Sequence, residues 1–166
     1  VVILLGGALW LTQSARTPER SVLSFERNGV QVEVLMRQAA DRTVDLSAVF
    51  TPQPGFHMYS VDLPAEGLGG LGRPTRFDLT APAAVQVQSE LTVTPRAIKV
   101  ESNLTADPIP IYPAGPVRLT RHLRLVSPSS ALTLDAHFSY MSCDDARGCT
   151  VPVRNHHERI VLRGIR

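Results

Sequence analysis

The chain has 166 residues, enough for one domain with a tail. Hydrophobic residues make up 43% and aromatics only 5%, so a core can form but must rest mainly on Val, Leu and Ala. The formal net charge of +2, with no Lys/Arg block and Lys99 the only lysine, is too small to argue for nucleic acid or an anionic membrane surface as the partner.

The chain opens on an apolar run, Val1 to Leu11, too short to span a bilayer and of the length expected for the apolar part of an export signal. An uncleaved membrane anchor and a buried first strand are the alternatives. Gly6-Gly7 and the polar stretch Gln13 to Pro18 argue against the strand. Residues 1–21 are therefore expected to be a signal remnant or anchor plus linker, and residues 22–166 the folded domain. Export would place the two cysteines where a disulfide persists.

From Val22 onward the sequence predicts short strands punctuated by Pro, Gly, Asn and Asp. Val30, Val32 and Val34 alternate with polar residues, as do Val44, Leu46, Ala48 and Phe50. Val117, Leu119, Leu123 and Leu125 repeat the pattern with Arg121 interrupting it. Leu132, Leu134, Ala136, Phe138 and Tyr140 form the cleanest alternating run, and Ile160 and Leu162 close the series. Side chains of a strand alternate faces, so each run gives a sheet with one buried side. No convincing amphipathic helix is found, and the 13 prolines suit turns and strand edges. The expected fold class is all-β, a sandwich.

Two loops stand out between the runs. Pro64 to Pro74 carries four glycines and reads as a flexible surface loop; it lacks the strand–loop–helix context of a phosphate-binding loop. Thr105 to Pro116 carries four prolines and holds Ile109, Ile111 and Tyr112 on a stiff backbone. Such a loop either covers or binds something, or simply packs onto the core.

Only five residues, Asp144 to Gly148, separate Cys143 from Cys149. Closing so small a loop stabilises a fold by roughly 2–2.5 kcal/mol, against about 4 kcal/mol for a loop of about sixty residues, so the pair is badly placed as a staple. Cys143 also falls in the phase of Thr133, Asp135, His137, Ser139 and Met141. On a strand that runs regularly to its end it points away from the core. Gly148 can adopt the positive φ that a tight hairpin needs, which would set Cys149 opposite Cys143. Two readings follow: an accessible pair that exchanges with a partner, or a static bridge in a structural module. Nearby Asp144 and Asp145 disfavour a thiolate while Arg147 favours one. A third reading is a copper or zinc module drawing on Met141, Cys143, Cys149 and one of His156 and His157, although adjacent histidines on a strand face opposite ways.

The segment Phe138-Ser-Tyr-Met-Ser-Cys143-Asp-Asp-Ala-Arg-Gly-Cys149-Thr-Val-Pro152 resembles the amino-terminal periplasmic domain of the DsbD-type protein-disulfide reductases. Pro54-Gly55-Phe56-His57-Met58-Tyr59 is similar to that family's Gly-aromatic-x-x-Tyr segment, and Gly72-Arg73-Pro74-Thr75 to its Gly-x-Pro-Thr. The likeness runs from Val22 to Leu162. It implies an immunoglobulin-like sandwich in the periplasm, a protein thiol–disulfide oxidoreductase that needs no cofactor and holds no metal. It implies that Cys149 forms the mixed disulfide and Cys143 resolves it. Thioredoxin-fold proteins would donate and accept the electrons, with a membrane-embedded redox partner behind them. By position, Ile109, Ile111 and Tyr112 would cap the sulfurs, Asp107 is the nearest carboxylate, and His57 and Tyr59 would line the site. The acidic pair and Phe of the family's cap are not found here. No multi-span membrane domain or Cys-x-x-Cys domain is present either, so the expectation is a fragment or a domain served by another protein.

Overall fold

The computed structural model describes residues 17–40, 42–127 and 129–165; the apolar run Val1 to Leu11, expected to be a signal or anchor, lies outside them. In chain order the strands are β1 (Arg20–Arg27), β2 (Val30–Ala40), β3 (Thr43–Pro52), β4 (His57–Met58), β5 (Arg76–Thr80), β6 (Val85–Thr94) and β7 (Ile98–Val100). They continue with β8 (Ile109–Ile111), β9 (Val117–Leu125), β10 (Ala131–Tyr140), β11 (Ser142–Asp144), β12 (Gly148–Cys149) and β13 (Val153–Arg163). Among the described residues there is no helix, and none therefore long and apolar enough to cross a membrane.

A five-stranded sheet in the order β1-β2-β3-β9-β6 faces a three-stranded sheet in the order β13-β10-β5. All their pairings are antiparallel. The alternating residues of β2, β3, β9, β10 and β13 read from the sequence share one buried core between the two sheets. Aliphatic side chains supply most of it, and the few aromatics sit at its centre. Phe77 stacks on Phe138 at 5.3 Å between centroids, and Phe50 meets Tyr140 edge-on at 5.4 Å. This is the expected all-β, immunoglobulin-like sandwich. Arg121, the interruption in the β9 pattern, ties the sheets together: its guanidinium donates to the Phe77 carbonyl at 2.9 Å and to Asp78 at 2.8 Å.

The chain leaves the sandwich at Met141. β10 pairs with β13 and β5, but the three residues that follow Met141 pair with β12 and β4 instead. A separate three-stranded sheet, β12-β11-β4, thus projects from the end of the sandwich with the cysteines in it. Beside it lies the two-stranded β7-β8 hairpin. A small second apolar cluster of Tyr59, Leu63, Ile109 and Cys143, with Leu68, Leu71, Ile111 and Met141 packed against it, fills the space between.

The glycine-rich segment differs from its expectation as a flexible surface loop. Leu68 and Leu71 exchange backbone hydrogen bonds at 3.0 and 2.9 Å, and both side chains pack on the second cluster. Its four glycines all have positive φ, so they shape a folded turn.

Candidate functional site

Cys143 and Cys149 are register partners across the β11–β12 hairpin, with Asp144 opposite Gly148, and the two sulfurs are bonded. Gly148 has φ 82°, as the tight return requires. The carboxylate of Asp144 accepts from the amides of Ala146 and Arg147 at 2.9 and 2.8 Å and so closes the loop. Arg147 clasps the loop to the turn before β4. Its guanidinium bonds Asp144 at 2.8 Å, donates to the Pro54 carbonyl and lies 4.5 Å from the Phe56 ring centroid. Hydrogen bonds from Arg147 hold the Asp144 carboxyl far below the usual carboxylate range, and Arg147 is held above its own. The opposing charges read from the sequence are thereby resolved: Arg147 is engaged by Asp144 rather than free to stabilise a thiolate.

The two cysteines differ in exposure. Cys149 is exposed, whereas Cys143 is 4% exposed. The expectation that both are accessible is corrected for Cys143. Parity did keep it out of the sandwich core, but the face it points to is covered by Tyr59, Leu63 and Ile109 because β11 has moved onto β4.

Three segments remote in sequence meet on this face. His57 lies opposite Cys143 in the β11–β4 pairing. Two residues on, Tyr59 donates its hydroxyl to Cys143 Sγ at 3.1 Å within the buried cluster. Thr75 anchors the Tyr59 carbonyl through its amide at 3.2 Å and its hydroxyl at 2.7 Å. A Cβ on Gly72 would stand 2.6 Å from two carbons of the Tyr59 ring, so the missing side chain is the space the ring occupies. On the third side, the Tyr112 amide donates to the Met58 carbonyl at 2.8 Å and the Ser60 amide to the Pro110 carbonyl at 3.0 Å.

His57, Tyr59, Ile109, Ile111, Cys143 and Cys149 together line an open cleft of about 440 Å³. Its rim carries Glu101, Asp144 and Asp145 beside exposed Val100 and Leu104, the last 76% exposed. A groove of about 600 Å³ elsewhere, between Arg27 and His157, is larger but contains neither sulfur. The cleft with the cysteine pair is the candidate site, since the disulfide is the reactive group. Burial holds His57 below its ordinary value, against the pull of Asp145 and Asp144. Burial likewise pushes the Tyr59 phenol up, with the Asp145 charge adding to it.

Of the residues expected to cap the site, Ile109 and Ile111 reach the cleft and Tyr112 does not. Tyr112 is buried in the sandwich core, where its hydroxyl accepts from the Val61 amide at 3.1 Å. The segment is extended, so Ile109 and Ile111 share one face and Tyr112 takes the other. Asp107 is exposed outside the cleft, its carbonyl bonded by Thr105 at 2.8 Å. Sequence reasoning missed Glu101 and Leu104, which follow the short β7. It also missed the Arg147 clasp, whose only signal was a cation placed inside the cysteine loop.

The two histidines of the metal-module reading are bonded to groups other than the cysteines. His156 bonds Arg27 at 3.1 Å and Glu158 at 2.9 Å, and His157 bonds Asp135 at 2.9 Å. Among the described residues, no group of three or more His, Cys, Asp and Glu side chains could hold a metal ion.

No protein-family model matches the sequence, and no curated protein matches it. Among solved structures, the chain is similar to the N-terminal periplasmic domain of ScsB from Proteus mirabilis, at TM-score 0.51 and 16% identity over 88% of this chain. It spans 52% of that structure's length. A looser likeness, TM-score 0.41 and 10% identity, links it to the GAE domain of GGA2p from Saccharomyces cerevisiae over 88% of this chain and 96% of that one. At such identities the comparison with the ScsB domain shows a shared β-sandwich fold.

Proposed function

We propose that this domain is a periplasmic thiol–disulfide interchange protein that relays reducing equivalents to thioredoxin-fold partners through Cys143 and Cys149. One observation carries the reading: the disulfide spans the mouth of a hairpin at an open cleft, with Cys149 exposed and Cys143 buried beneath it. Exchange needs in-line access to one sulfur of the pair and a second sulfur able to leave. Exposed Cys149 meets the first need and Cys143 the second. Val100 and Leu104 add exposed apolar surface on the rim where a partner would dock. The similarity to a periplasmic domain supports the location, and a membrane-embedded redox protein is the proposed source of electrons.

The test is a redox titration joined to trapping. The expected potential lies above about −300 mV, the level typical of inert structural bridges. A Cys143→Ser variant, with Cys149 free, is expected to hold a thioredoxin-fold protein as a stable mixed disulfide. Cys149→Ser is expected to trap little. A potential below that level, together with no adduct for either variant, would return the pair to the role of a static bridge.

A further inference from the structure

Building on the exchange reading, we propose that Tyr59 is a catalytic residue of the reaction, donating a hydrogen bond to Cys143 as that sulfur takes the electron pair of the breaking disulfide. Three observations support the role. The Tyr59 hydroxyl lies 3.1 Å from Cys143 Sγ in a buried contact. The ring is held from several sides, by the Gly72 hollow, by the Thr75 bonds to its carbonyl and by an edge-on contact with His57 at 5.5 Å. Cys149 has no comparable hydrogen bond among the described residues, so the two sulfurs are chemically unequal before any partner arrives.

A partner thiolate attacks Cys149 Sγ from the side opposite Cys143, and its electron pair forms the new sulfur–sulfur bond. The Cys143–Cys149 bond breaks, and its electron pair goes to Cys143 Sγ as thiolate. With a dithiol partner, the second partner thiolate then attacks the first, releasing Cys149 as thiolate and leaving the partner oxidised. Two electrons pass to the domain, and the two protons that the partner thiols gave to solvent on ionising are taken up from solvent by the two cysteine thiolates. In the opposite direction the Cys143 thiolate is the resolving nucleophile, and the same hydroxyl holds it in place.

The disulfide sulfur is a weak acceptor and a thiolate a strong one. The Tyr59 bond is therefore much stronger after the charge develops than before it. An interaction that strengthens along the reaction lowers the barrier; one of constant strength does not. Burial raises the Tyr59 phenol's own titration, so it remains a donor through the neutral range.

Tyr59→Phe keeps the ring in its hollow and removes only the hydroxyl. Reduction of the disulfide by dithiothreitol is expected to slow by about tenfold or more, the range of a hydrogen bond to a charged group. In a Cys149→Ala background, the lone Cys143 thiol, followed by its ultraviolet thiolate absorbance, is expected to titrate about one unit higher once Tyr59 is Phe. Tyr112→Phe, which also loses a buried phenol contact, is expected to change neither readout. A Tyr59→Phe protein that reacts within about twofold of the original, or whose Cys143 titration does not move, overturns the proposal. Equal slowing by Tyr112→Phe overturns it too, because the loss would then be one of packing. Failure of the unaltered disulfide to react with dithiothreitol at all would instead defeat the exchange reading, while the Cys143 titration would still judge the Tyr59 bond.

Discussion

Substituting Gly72 by Ala probes the packing that holds Tyr59 against Cys143. The new Cβ would stand 2.6 Å from Tyr59 Cδ1 and Cε1 and 2.9 Å from Leu63 Cδ2, distances at which one of the groups must move. Gly72 also has φ 76°, where an L side chain costs roughly 1–2 kcal/mol. Overpacking of a well-filled site adds about 1–3 kcal/mol. The sum, on the order of 3 kcal/mol, lowers the melting temperature of a chain this size by roughly 6–12 °C. Gly70→Ala is the internal control. Its φ is 83° but nothing lies within 4 Å of its Cβ position, so only the backbone contribution of about 1–2 kcal/mol is expected. Urea denaturation of the two variants, analysed at equal slope, gives the difference directly. If Gly72→Ala proves no more damaging than Gly70→Ala, the Tyr59 ring is not wedged against Gly72 and the account of the site's rigidity fails.

Asp144→Asn is expected to weaken both its acceptance of the Ala146 and Arg147 amides and the clasp to Arg147; faster hydrogen exchange at those two amides, with the β10 amides unchanged, is the measurement. His57 gives a pH dependence of known sign. Its folded value lies below the ordinary 6.5, so the unfolded chain takes up the proton first as pH falls. The stability tied to a neutral His57 is whole above about pH 6.5 and declines as pH drops through the folded value. His57→Gln is expected to flatten that part of the stability profile between about pH 7 and pH 5, and an unchanged slope in chemical denaturation would refute it.

The alternating runs of β2, β3, β9, β10 and β13 were legible in the sequence because strand geometry imposes a two-residue period on side-chain direction. The cysteine hairpin was legible for a similar reason, since five intervening residues with Gly148 near the end leave few ways to return. Local chemistry alone carries both conclusions. Tyr112 was misassigned because the four prolines from Pro108 to Pro116 made the segment read as a loop. An extended reading of Ile109 to Tyr112 would have separated the isoleucines from the tyrosine.

What lay beyond the sequence was the meeting of distant parts. The burial of Cys143 depends on the chain breaking at Met141 and passing from β13 and β5 to β4, a change of partner that no residue between Tyr140 and Cys143 announces. Tyr59, Gly72 and Ile109 come together around one sulfur because packing, not local propensity, sets how separate strands register. Sequence order determined which faces would be apolar and where the sulfurs could pair. Only the tertiary structure decided which of the two sulfurs is covered, and that a tyrosine hydroxyl reaches it.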